Sequence, residues 1–224
     1  MKFKRLLFAT IAALALMPVS TPAPVGYYNY AFQPGNNWFG NQLNNTPNDL
    51  DTLISSAPTG TTVSLWNPTS DSFGQTSTWN GSQWSIDLTL NPGNAALLDT
   101  PTLFTNTFLG SVVNFPPTYP PPFSGPNGTY LLSSIDPLTL SGNSVFDYIV
   151  GRDPQNGEQV TVLDALTQTT TTSTYSGGAW DIVPALGVGE AALFKLVPEP
   201  SSLGLLLVGA GILSYFRRPH GRKF

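Results

Sequence analysis

The sequence predicts a mainly β body of two tandem repeats of antiparallel strands, either sandwich-like or two small packed sheets, between an N-terminal signal helix and a C-terminal single transmembrane helix. Three observations carry that prediction. First, residues 77–98 (STWNGSQWSIDLTLNPGNAALL) and 173–194 (STYSGGAWDIVPALGVGEAALF) align without a gap at an offset of 96, with 10 of 22 positions identical. Second, Trp84, Ile86, Leu88 and Leu90 alternate with Ser85, Asp87 and Thr89, the period of a strand with one buried face. Third, Asn80-Gly81 and Ser176-Gly177-Gly178 stand at matching places between strand-prone runs, as hairpin turns do.

Taken in chain order, residues 1–23 form a secretory signal. Lys2, Lys4 and Arg5 precede an apolar run from Leu6 to Met17 and then small residues ending at Ala23. Residues 34–98 form the first repeat. Leu50, Leu53 and Ile54 follow Pro47 and Asn48 at helical spacing, so a short helix is expected there. Thr61 to Trp66 supplies a strand, and the alternating run to Leu90 another. Residues 99–125 connect the repeats. Thr102 to Val113 alternates well enough for a strand, and Phe115 to Phe123 is proline-rich, hence extended and semi-rigid.

Residues 126–194 form the second repeat. Phe146, Ile149 and Val150 repeat the helical spacing, Val160 to Leu163 matches Thr61 to Trp66, and the Thr-rich run from Thr167 to Tyr175 is β-branched. Pro184 interrupts the last alternating run and points to an edge or a bulge. The upstream alignment pairs Pro34 and Trp38 with Pro126 and Tyr130. Two units are too few for an open solenoid, so the pair is expected to pack on itself.

Residues 197–224 are a unit of another kind. Pro198, Glu199 and Pro200 precede an apolar run from Leu203 to Phe216, followed at once by Arg217 and Arg218. Fourteen residues of helix span about 21 Å, short of a hydrocarbon core of roughly 30 Å. The arginines would face the cytoplasm. The physics describes a short, weak membrane stop. This tripeptide, apolar helix and basic end resemble the PEP-CTERM sorting signal of Gram-negative bacteria. The resemblance implies recognition by an exosortase, a membrane transpeptidase. It also implies a transient stay in the inner membrane and delivery to the cell surface or extracellular matrix.

Composition narrows the chemistry of the body. Lys and Arg total 9 and Asp and Glu 13. Seven of the bases lie in the two ends; the stretch between them holds Arg152 and Lys195 against all thirteen acids, from Asp49 to Glu199, a net −11. Such a surface does not suit nucleic acid. Cysteine is absent and the one histidine, His220, lies in the tail, so the body has neither thiolate nor imidazole chemistry. No catalytic, cofactor or metal residues are assigned.

Paired carboxylates are the one catalytic option left, with Asp87, Asp181, Asp153 and Glu158 as candidates, but their repeat partners are not acids. The segment Asp153 to Glu158 has oxygen ligands for a weak calcium site, and reads more simply as a Pro-Asn-Gly turn. Trp38, Trp66, Trp79, Trp84 and Trp180 could stack on sugars. Trp84 and Trp180 share a repeat position and are expected in the core, which leaves Trp66 as the better exposed platform.

The reading that follows is an exported, non-enzymatic surface or matrix protein associated with exopolysaccharide and sorted by its tail. The alternative is a carboxylate-dependent enzyme or binding module acting on extracellular polysaccharide.

Overall fold

The computed structural model describes residues 25–113 and 128–197. The predicted signal segment 1–23, most of the proline-rich connection and the segment 198–224 lie outside the described residues. Among the described residues no helix is long and apolar enough to cross a membrane. The body is mainly β, in antiparallel sheets.

The first half holds β1 (Val25–Phe32), β2 (Gly35–Gly40), α1 (Leu50–Leu53), β3 (Thr62–Asn67), β4 (Ser72–Thr78), β5 (Ala95–Thr100) and β6 (Phe104–Ser111). The second holds β7 (Gly128–Ser133), β8 (Leu140–Ser141), α2 (Asn143–Ile149), β9 (Gln159–Asp164), β10 (Thr169–Ser176), β11 (Ala179–Trp180), β12 (Ala185–Leu186) and β13 (Ala191–Leu196). One sheet runs β2-β5-β3-β4, and the other, read from β7, runs β7-β13-β9-β10-β11. The first four places thus follow the same chain logic in both. Two small pairs, β1 with β6 and β8 with β12, flank the sheets.

Local chemistry explains the turns. Gly177 and Gly178 both have positive φ, 62° and 89°, and close β10 onto β11 with Ser176 opposite Ala179. That is the backbone of a two-residue type I′ turn, which side chains with a Cβ adopt reluctantly. The α1 helix starts at Asp49, whose side chain accepts the Thr52 N–H at 2.9 Å. Its last carbonyls are also met: Asn106 donates to Leu53 O and Trp84 Nε1 to Ile54 O, each at 2.9 Å.

Each sheet buries one face against its own helix. In the first half Phe39, Val63, Ala96 and Leu98 meet Leu50, Leu53 and Ile54, and the β1–β6 ribbon closes this core with Tyr28, Phe32 and Phe108. In the second half Val160, Ala192 and Phe194 meet Val145, Phe146 and Ile149. The opposite faces pack on each other: Trp38, Trp66, Phe73 and Ala95 against Leu131, Ala191 and Leu193.

The contacts between the halves come in reciprocal pairs. Gly40 N–H donates to Gly189 O at 3.0 Å, and Ser133 N–H donates to Gly93 O at 3.1 Å. Gly40 and Ser133 each end the first strand of their sheet, while Gly93 and Gly189 each lie two residues before the strand that pairs with it. The isolated bridges Phe39 with Glu190 and Asn94 with Leu132 repeat the exchange. At its centre Gly40 leaves no room for a side chain, because a Cβ there would lie 1.9 Å from Ser133 Cβ.

Several sequence expectations need correction. The run from Trp84 to Leu90 is not a strand, and Ile86 is 42% exposed. Ser77 Oγ takes the ladder's place there, bonding both the N–H and the carbonyl of Ile86. Leu88 O and Leu90 N–H then bond back to Leu50 and Asn48. Backbone partners outside a sheet keep Trp84, Leu88 and Leu90 buried while releasing Ile86.

In the second half Ile182 is 51% exposed for a related reason: its N–H is held by the Asp181 carboxylate. The register also shifts one pairing. Trp38 lies opposite Leu97 in the first sheet and Leu131 opposite Leu193 in the second, so Leu131, not Tyr130, occupies the place of Trp38. Strand β1, which begins at Val25, lies outside the two segments that the sequence comparison aligns.

Candidate functional site

The C-terminal edge of the body leads directly to the tripeptide. Strand β13 is interior to its sheet, between β7 and β9, and ends at Leu196. Only Val197 then separates folded sheet from Pro198. Val197 is itself held: its N–H donates to Glu158 Oε1 at 3.3 Å. Glu158 is fully buried. Its carboxylate accepts Arg152 Nη1 at 2.9 Å and Gln155 N–H at 2.7 Å, and pairs with Arg152 Nη2 through its other oxygen. Arg152 lies over the Phe146 ring, 5.9 Å from its centre.

The local sequence builds this grip. Gly157, at φ 92°, lets the chain reverse so that Glu158 N–H returns to Gln155 O at 3.0 Å. Asn156 Oδ1 ties the same turn to Gly177 N–H. The segment Asp153 to Glu158 is therefore a closed turn whose acid points inward onto an arginine and the backbone. Both Glu158 oxygens are committed to the protein, which removes this side chain from the calcium reading.

The other carboxylates do not gather around one point. Asp181 Oδ1 clips a turn by accepting Thr174 N–H and Ile182 N–H. Asp153 sits beside Asp147, whose carboxyl is pushed up first by burial and then by the Asp153 charge. Asp87 accepts the Asp51 N–H at 3.2 Å. Burial raises its pKa, with the Asp49 and Asp51 charges adding to the rise. Asp49 is held low by its hydrogen bonds to Thr52. The sequence did not single out Asp49, the acid nearest Asp87, because thirty-eight positions separate them in the chain.

The tryptophans are structural. Trp79 and Trp84 are buried edge to face, 5.5 Å between ring centres. Trp180 is half-buried between Tyr175 and Phe146 and donates to Asn143 Oδ1 at 3.0 Å. Trp66, expected as an exposed platform, is instead a contact between the halves. Its Nε1 donates to Thr129 O at 2.8 Å and its ring meets Phe73 edge to face. The first strand of the second sheet supplies that carbonyl, so no pattern within the first half could have revealed it.

Residues 196–223 match the PEP-CTERM protein-sorting motif. The chain is thus a PEP-CTERM-containing protein, and the matched region begins at the last residue of β13. No curated protein and no solved structure matches the chain. The sorting residues Pro198, Glu199 and Pro200, the apolar run from Leu203 to Phe216, and Arg217 and Arg218 lie outside the described residues. A motif of this kind implies export with membrane-associated sorting by an exosortase.

Proposed function

We propose that this chain is an exported, non-enzymatic surface or extracellular-matrix protein, associated with exopolysaccharide, whose tail is removed at the Pro198-Glu199-Pro200 motif by an exosortase-type membrane transpeptidase. The body is a duplicated β unit that serves as cargo. The matched sorting motif, whose tripeptide follows β13 after the single residue Val197, is the observation that carries this reading. The scattered carboxylates and inward-facing tryptophans support a body built for packing. The matching strand orders and reciprocal contacts support the duplication.

The test is mass spectrometry of the mature C-terminus from native cells, with a Glu199→Ala variant beside the natural chain. The expected product ends between Val197 and Pro200, and the variant keeps its tail and stays in the membrane fraction. A natural chain that retains Arg217 through Phe224 on the membrane would sink the proposal.

A further inference from the structure

A cleft lies beside each half; the two share several corresponding wall positions and differ in their remaining walls, Tyr130, Leu131 and Leu132 in one and Tyr30, Ala31 and Gln33 in the other. The cleft beside the first half is small, about 200 Å³, and is walled by Leu65, Trp66, Pro68, Thr89 and Asn94. The cleft beside the second half is about 450 Å³ and is walled at the corresponding places by Val162, Leu163, Ala165, Ala185 and Glu190. Sheet pairing fixes the correspondence: Leu65 lies opposite Ala96 and Val162 opposite Ala192, while Asn94 and Glu190 each precede those paired strands.

Two exchanges open and charge the second cleft. Leucine stands where the first has the Trp66 indole, and a carboxylate stands where it has an amide. The volume falls within the usual range for small-molecule sites, roughly 300–1,000 Å³.

Its walls divide by polarity. Val162, Leu163, Ile182 and Val183 give an apolar side, and Ile182 and Val183 are 51% and 65% exposed. Tyr30, from the β1–β6 ribbon, and Glu190 give the polar side. Glu190 Oε2 accepts Gly187 N–H at 2.7 Å, which fixes the carboxylate and leaves Oε1 without a hydrogen bond among the described residues. The Tyr30 ring is largely buried beside that charge, which, after burial itself, pushes its hydroxyl further from ionisation. Asp164 adds a second acid to the lining, and among the described residues no lysine or arginine contributes to it.

We propose that this cleft is a binding site for a small organic cation: a molecule with an apolar body against Val162, Ile182 and Val183 and an ammonium head at Glu190. Anions are disfavoured by two carboxylates without a counter-charge, and a purely apolar guest would leave the Glu190 charge facing it without a partner. The site belongs to the folded body and does not depend on how the tail is processed.

The experiment compares three probes with one body and different heads: 2-phenylethylammonium, 2-phenylethanol and phenylacetate. Each is titrated into the folded protein, with binding located by NMR shifts. The ammonium probe is expected to bind at least tenfold more tightly than the alcohol, to shift Val162, Ile182 and Val183, and to leave phenylacetate without measurable binding. Glu190→Gln keeps an acceptor for Gly187 and should lower ammonium affinity about tenfold with an unchanged melting temperature. Leu163→Trp, which copies the other cleft, should block the ammonium and alcohol probes. Equal binding of ammonium and alcohol, indifference to Glu190→Gln, shifts elsewhere on the protein, or no binding at millimolar concentration would each overturn the proposal.

Discussion

The two halves share a strand order but secure the same structural place by different chemistry. Where β3 begins in the first half, Thr61 Oγ1 donates to Thr100 Oγ1 at 3.1 Å, two neutral hydroxyls inside the fold. At the equivalent place in the second half, Glu158 sits just before β9 and receives Arg152, Gln155 N–H and Val197 N–H. The first half continues from β5 into β6 and is covered by a ribbon, so its last strand is trapped by its own continuation. In the second half β13 is the last strand among the described residues, which end at Val197. The charged pair stands beside Val197, the residue that follows β13, and binds its N–H. The difference teaches that a shared strand order does not require the same buried pair at that place.

Breaking that pair gives the largest expected effect. Arg152→Met leaves the Glu158 carboxylate buried with only backbone donors, a situation that costs about 3–5 kcal/mol when a buried pair loses one partner. Thr61→Val in the other half removes a neutral hydrogen bond and should cost about 1 kcal/mol. Urea denaturation of both variants checks the contrast. Hydrogen exchange at Leu196 and Val197 should also rise well beyond the global loss in Arg152→Met and not in Thr61→Val. Equal costs, or equal exchange, would show that the two places do the same work and that the comparison has no mechanical content.

A smaller effect is expected at the centre of the reciprocal packing, where Gly40 and Ser133 meet. Gly40→Ala puts a methyl group where Ser133 Cβ lies 1.9 Å away, and overpacking of this kind costs about 1–3 kcal/mol. If the constraint is one side chain shared between two equivalent places, the exchange Gly40→Ser with Ser133→Gly should recover most of the loss. The recovery would fall short by the hydrogen bonds that Ser133 Oγ makes with Glu190 O and Gln42 Nε2. A double variant as unstable as Gly40→Ala alone would show that the two positions are not interchangeable. Thermal denaturation of the three variants decides it.

The sequence makes some of this legible and hides the rest for identifiable reasons. Local periodicity locates β3, β6, β9, β10 and both helices, because side chains on one element announce its buried face. The sorting tripeptide is legible because its three parts are contiguous. The Trp84 to Leu90 run misleads because alternation records which side chains are buried, not which backbone groups pair. Ser77 Oγ and the loop at Asn48 satisfy that segment without a ladder. Trp66 misleads because its partner lies sixty-three residues away in the other half. The Arg152–Glu158 pair had one usable signal: Arg152 is one of two bases in an acidic body, and an isolated arginine there invites a search for the carboxylate it neutralises.

The smallest effect lies in the two helices, where acids act with opposite sign. Asp49 caps α1, and its bonds to Thr52 hold its carboxyl below the usual value. Helix α2 begins after Gly142 with no side-chain cap, and within it the Asp147 carboxyl is raised by burial and by Asp153. A depressed pKa contributes stability that is present above the unfolded value, about 3.9, and lost as pH falls through the folded value. A raised pKa does the reverse: the ionised form is penalised in the fold at neutral pH, and the penalty vanishes once both states are protonated below about 3.9.

Asp49→Ala should therefore cost about 1 kcal/mol at pH 7 and progressively less as pH falls below 4. Asp147→Asn should gain a few tenths of a kcal/mol at pH 7, since the group is largely solvated, and nothing at pH 3. Stability curves of the two variants against the natural chain, measured between pH 7 and pH 3, should converge on it from opposite sides. If both lie on the same side at neutral pH, the caps of the two helices differ in sequence but not in electrostatic role.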